Sequence, residues 1–411
     1  MQRTDVAIIG AGQAGLAMSA CLTTRRIDHV VLERGRVAQR WRAGSWDSLR
    51  LLTPNWLSRL PGWSYGGADP HGFMRRHEFI AYLSDYAHAF GAPVVTGAEV
   101  RRVTQPGAHY CIETERVTLA CAAVVVATGQ CETPFIPAMA RQLSGSIHQL
   151  PAAAYRCPDA LPAGGVLVVG ASASGLQIAD EIHRSGRRVV LAAGRHARLP
   201  RRYRGHDIMW WLDRLGILDD RPSVADPGDA HRQPSLQLIG RRDRTLDLAV
   251  LRDAGVQVVG RACAADRTIM RFAGDLAETT ASAERKLARM LARIDHAIVQ
   301  RGLVADAAEP RAPLWLDQPA TRIDLAAAGI ATVIWATGYR PQYPWLAVPV
   351  FDARGDIVHD GGVTPAPGLY VLGLRWLRRR SSSFIDGTGR DAHELAGHVA
   401  QFVARRRIKA A

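Results

Sequence analysis

Asp5-Val-Ala-Ile-Ile-Gly10-Ala-Gly12-Gln13-Ala14-Gly15-Leu-Ala-Met18 decides how this chain reads. The apolar residues 6–9 predict a buried strand, and residues 16–22 predict a helix. Between them, glycines 10, 12 and 15 fall at G-x-G-x-x-G spacing. The three serve in turn a tight bend, close approach of the backbone to a pyrophosphate, and close packing of helix on strand. The helix start adds N–H groups and partial positive charge for the phosphates. Alone the pattern is weak, but here a second apolar strand, 29–32, ends at Glu33. An acid roughly 20 residues on is what holds a ribose hydroxyl in such a unit.

The same grammar returns in Gly165-Val-Leu-Val-Val-Gly170-Ala-Ser172-Ala-Ser174-Gly175-Leu, with Ser172 in place of the middle glycine. The next strand, 188–194, ends in no acid; Arg195, His196, Arg198, Arg201, Arg202 and Arg204 follow. A basic end suits a ribose 2′-phosphate and hence NADPH, a solvated basic face being the plainer alternative. Two apolar strands run into Ala-Thr-Gly, at Thr128-Gly129 and again at Thr337-Gly338. The expected fold is α/β, with two Rossmann-like dinucleotide-binding units in one chain. Prolines 134, 137, 151, 158 and 162 mark the linker. One cofactor is then a flavin and the other a nicotinamide. Hydride passes between them while the protein supplies position and electrostatics.

Bulk properties narrow the class. The 411 residues are 47% hydrophobic, enough for two or three domains. No apolar run approaches the ~18 residues of a membrane span. The chain opens directly on a strand, which reads as no leader peptide. Six cysteines include no C-x-x-C pair, which argues against zinc and a dithiol centre and for a reducing, cytoplasmic setting. The net charge of +14 is nearly all arginine, with lysine only at 286 and 409. These arginines are scattered, so nucleic acid is not an expected partner.

Residues 34–62, rich in Trp, Ser, Pro and Gly, form a long irregular segment of the kind that is usually functional. Helical spacing of apolar residues predicts helices over 76–90 and 280–301, the latter with Leu287, Met290, Leu291, Ile294 and Ile298 on one face. Asp391 with Glu394 three residues on predicts a capped helix start aimed at the flavin.

In order along the chain, these pieces resemble the class B flavoprotein monooxygenases: flavin-containing monooxygenases, YUCCA-type enzymes and bacterial relatives. The matching stretches include Gly10-x-Gly12-x-x-Gly15, Glu33 to Trp41, Trp46 to Asn55, Ala127-Thr-Gly129, Gly170 to Gly175, Ala336 to Pro341 and Gly387 to Asp391. The resemblance implies FAD, NADPH and O2, a flavin C4a-(hydro)peroxide, and a small organic substrate. It also implies that one domain is inserted into the other, with expected boundaries 1–158 and 312–411 for the FAD-binding domain and 159–311 for an NADPH-binding domain with a helical insertion. It places FAD on Gly10, Gly12, Gln13, Ala14, Gly15, Glu33, Arg34, Arg40, Trp41, Thr128 and Gly129, with Thr337, Gly338, Asp386 and Gly387 also at the cofactors. NADPH falls to Gly170, Ser172, Ser174, Gly175, Arg195 and Arg202. Asn55 and Trp41 become the candidate catalytic residues beside the flavin. No metal is implied, and a homodimer is among the assemblies it allows. One departure stands out: at Leu143–Tyr155 the family fingerprint F-x-G-x-x-x-H-x-x-x-(W/Y) loses its Phe and its spacing. Oxygenation at N or S, at a ketone, or with decarboxylation of an arylpyruvate therefore stays open. Two rivals stay open too: a flavin reductase serving a quinone or other acceptor, and a non-catalytic FAD/NADPH-binding redox sensor.

Overall fold

The computed structural model describes residues 2–222, 240–241, 244–309, 314 and 319–410. The expected boundary between 311 and 312 lies outside the described residues. Two sheets organise the chain. The first has seven strands, and its centre is Gln2–Ile9 flanked in parallel by His29–Glu33 and Thr118–Val126. Val94–Thr96 extends one edge, and an antiparallel pair, Tyr110–Thr114 and Val100–Thr104, extends the other. Leu369–Val371 returns from far along the chain and lies parallel to Val124–Val126. These strands are apolar without alternation because both faces are covered. Helix Gln13–Thr24 covers one face, and the C-terminal helix Ile385–Ala410 packs on that helix.

The second sheet is wholly parallel: His148–Pro151, Ile330–Trp335, Gly165–Val169, Val189–Ala192 and Gln257–Val259, in that spatial order. Its strands therefore reach beyond residues 159–311 on both sides. Val166 and Val168 face one apolar layer with helix Ala173–Arg184; Leu167 and Val169 face another, closed by the antiparallel strands that carry Met270 and Ile323. The predicted helix over 280–301 spans Leu276–Arg301, and Leu287, Ile294 and Ile298 are buried. It packs on the helix Ile208–Arg214 around fully buried Trp211, in a cluster that also takes Leu57 and Phe384 from the first half.

Charge ties the halves further. Arg59 bridges Asp213 at 3.1 Å and Asp386 at 2.8 Å. Asp220 holds Arg293 at 2.7 Å and Arg380 at 3.1 Å, and Asp219 holds Arg390. The reading of Asp391 as a helix cap needs correction. The helix starts six residues earlier, at Ile385, and Asp391 is fully buried inside it against Arg379 Nε at 2.7 Å. Just before the helix the chain turns at Ser382, whose hydroxyl accepts from the Arg378 and Arg379 N–H groups.

Candidate active site

The first glycine turn shapes a cavity of about 430 Å³ at the carboxyl ends of the first sheet's strands. Gly10 has φ +106°, and a side chain there would meet the Ala127 carbonyl oxygen at 2.8 Å. At Gly15 a Cβ would come 1.8 Å from the Gly10 oxygen, so only glycine lets the helix close on the strand. At Gly12 a Cβ would meet nothing within 4 Å. Gly12 caps the helix and offers no side chain to its first-turn N–H groups, leaving them to an anion in the cavity.

Glu33 lies 22 residues from Ala11 in sequence, yet its Oε2 accepts the Ala11 N–H at 2.8 Å, and Oε1 accepts the Gly35 N–H at 2.9 Å. That fixes the carboxylate at the cavity wall with lone pairs left for ribose hydroxyls. These features fit a bound FAD: open space over Gly12, a helix start and an anchored acid. Gln13, Ala14, Arg34, Arg40, Trp41, Thr128 and Gly129 line the same cavity, and Gly15 sits behind it. Trp41 is braced edge-on by Phe79, with ring centres 4.7 Å apart. Arg34 pairs with Glu132 at 2.6 Å. Ala98, Val100, Cys131, Trp345, Gly373 and Ser383 also line it, and none of them belongs to the sequence motifs. Gly373 and Ser383 carried a signal, since they bracket the loop before the last helix.

Asp386 and Gly387 do not line this cavity. Asp386 is held by Arg59, and a Cβ at Gly387 would strike the Ser381 oxygen at 2.1 Å. Thr337 and Gly338 line an adjoining chamber. Asn55 also sits elsewhere. It is 4% exposed; its Nδ2 donates to the Asp69 oxygen at 2.8 Å, and its Oδ1 accepts from the Met74 N–H at 2.7 Å. Its side chain thus clamps the 69–74 segment. Asn55→Ala leaves buried backbone groups unpaired and should cost about 1–3 kcal/mol of stability, read by denaturant unfolding.

The second glycine turn repeats the first. Gly170 has φ +114° and abuts the Ala336 oxygen; a Cβ at Gly175 would come 1.8 Å from the Gly170 oxygen. Ser172 caps the helix Ala173–Arg184, and Ser174 lies in its first turn. Of the arginines that follow, three are already engaged. Arg198 holds Asp247 at 2.6 Å, Arg204 holds Asp295 at 2.7 Å, and buried Arg201 holds Asp207. Arg195 and Arg202 remain exposed, Arg202 donating to the Gly205 oxygen at 2.6 Å. His196 is buried against the Gly194 oxygen, and burial holds its pKa below the usual histidine value. Among the described residues, no helix is long and apolar enough to cross a membrane, and no His, Cys, Asp and Glu group forms a metal site.

Comparison with known proteins agrees with this geometry. A family profile described as pyridine nucleotide-disulphide oxidoreductase matches residues 7–208. An uncharacterized CzcO-like oxidoreductase of Geobacillus kaustophilus is 32% identical over 96% of this chain and 98% of its own length. The rice indole-3-pyruvate monooxygenase YUCCA4 is 30% identical over 51% of this chain and 53% of its own. The structure of a flavin-containing monooxygenase from Stenotrophomonas maltophilia superposes with a TM-score of 0.66, covering 98% of this chain and 99% of that one at 21% identity. Being 32% identical to a CzcO-like oxidoreductase over almost the whole of both chains, and sharing the two-domain fold of flavin monooxygenases, the chain belongs to the CzcO-like oxidoreductases and is a flavin-dependent oxidoreductase using FAD and NADPH.

Proposed function

We propose that the protein is an NADPH- and O2-dependent monooxygenase of a small organic substrate. The observation that supports this most is the lining of the flavin cavity, in which Cys131 is the one thiol. A dithiol relay of electrons to a disulfide has no second sulfur among those residues. Bound FAD supplies a ring that takes two electrons from NADPH and gives them to O2, so one oxygen atom enters the substrate and the other leaves as water. The chain's part is to bind and orient. The Gly12 turn takes the FAD pyrophosphate, Glu33 the ribose, and Trp41 walls the cavity against water. Ser172 and Ser174 take the second dinucleotide. Arg195, with Arg202, faces its 2′-phosphate.

Anaerobic NADPH should bleach the bound flavin, and ¹⁸O2 should label a product formed one-to-one with NADPH consumed. Quantitative conversion of NADPH to hydrogen peroxide across a substrate panel, with faster electron transfer to a quinone, would instead favour a reductase. Arg195→Ala should weaken NADPH roughly 10- to 100-fold, the size of a lost charged hydrogen bond, and leave NADH unchanged in a flavin-reduction titration.

A further inference from the structure

A chamber of about 380 Å³ abuts the flavin cavity, and Gln130 and Cys131 line both. It lies where the two linkers between the halves pair as a short antiparallel ribbon, Thr133–Pro134 with Tyr339–Arg340. Phe135, Tyr339 and Tyr343 give it flat apolar walls. Its volume falls within the range of small-molecule pockets.

Its charges do not balance. Arg340 stacks 4.1 Å over the Phe135 ring, and Arg375 is half-buried; neither has a carboxylate partner among the described residues. Neighbouring Arg378, Arg379 and Arg380 each have one. Asp356 is the one carboxylate lining the chamber. Tyr343 is pushed up to about 12 by burial first, then by that carboxylate. The Cys131 thiol, beside Arg40 and Arg375, is nonetheless pushed up by burial and so supplies no negative charge. Arg340 is exposed and Arg375 half-buried, so an anion entering the chamber meets two guanidinium groups that no carboxylate among the described residues neutralises.

We propose that this chamber binds an organic anion: a small carboxylate with a flat apolar body, its carboxylate on Arg375 and Arg340 and its body against Phe135, Tyr339 and Tyr343. Guanidinium matches carboxylate bidentately, and aromatic walls suit a planar body. This rests on the monooxygenase reading, the chamber then serving the substrate next to the flavin.

The test titrates the FAD-loaded full chain with benzoate, benzamide and NADP⁺, followed by flavin absorbance. Benzoate should give a saturable shift. Arg375→Gln should weaken benzoate roughly tenfold or more, as loss of a charge-assisted pair does. Benzamide should bind feebly to both forms, and NADP⁺ should bind both equally. Arg340→Gln serves as a second variant if Arg375→Gln fails to hold FAD. No saturable benzoate shift, or equal benzoate affinity in the variant, overturns the proposal. So does a variant that loses NADP⁺ instead, which assigns the arginine to dinucleotide phosphates. None of these titrations needs turnover. A protein that binds benzoate through Arg375 but never oxygenates a substrate would sink the monooxygenase reading and leave the chamber standing.

Discussion

Gly12→Ala should purify folded but colourless, whereas Gly15→Ala should fail to fold stably. The two glycines are three residues apart in one motif, and the difference is steric. A methyl at Gly12 enters open space, so the polypeptide keeps its packing. That space is where the pyrophosphate would lie. The expected loss of FAD affinity is at least about a hundredfold, or roughly 2.7 kcal/mol. At Gly15 the methyl lands 1.8 Å from the Gly10 oxygen and forces helix from strand. Overpacking of that kind costs about 3 kcal/mol or more. Flavin per chain and denaturant unfolding of the cofactor-free forms separate the effects, since bound ligand itself raises apparent stability. A yellow, stoichiometric Gly12→Ala protein would refute the placement of FAD; a Gly15→Ala protein as stable as its parent would refute the packing.

Arg201→Ala should lower stability by about 3–5 kcal/mol, the cost of stripping one partner from a buried ion pair. Arg201 is 1% exposed. Its guanidinium meets Asp207, donates to the Leu52 oxygen at 2.6 Å and stacks 4.2 Å over Phe73. Leu52 and Phe73 belong to the first half and Arg201 to the second, so this one side chain joins them. Arg201→Lys should not rescue, because an ammonium cannot serve a carboxylate, a carbonyl and a ring face in the guanidinium's fixed geometry. Chemical denaturation of both variants decides it. A loss below about 1 kcal/mol would show that the contact contributes no more than an exposed pair.

The first turn was legible because its signals are local. Glycines at fixed offsets, an apolar strand before and an acid after are all read within some 30 residues, and the cavity lies where they point. The arginines at 198–204 show why other parts were not. Residue type suggested a phosphate site, but Asp247, Glu284 and Asp295, which occupy Arg198 and Arg204, lie 49 to 91 residues further on. Partner choice at that range is a tertiary fact. The strand at 330–335 makes the same point: its Ala-Thr-Gly ending was recognisable, but apolarity on both faces does not say which sheet it joins. Asn55 was placed by its neighbours in sequence, and only coordinates show both ends of its amide spent on backbone.

The late strand Leu369–Val371 has a consequence for biosynthesis. All five strands of the second sheet lie between residues 148 and 335, whereas the first sheet lacks one member until residue 371 is made. On the ribosome the middle of this polypeptide can therefore mature before its beginning does. A released chain ending just past residue 335 should show a protease-resistant central fragment beside an N-terminal region still open to cleavage.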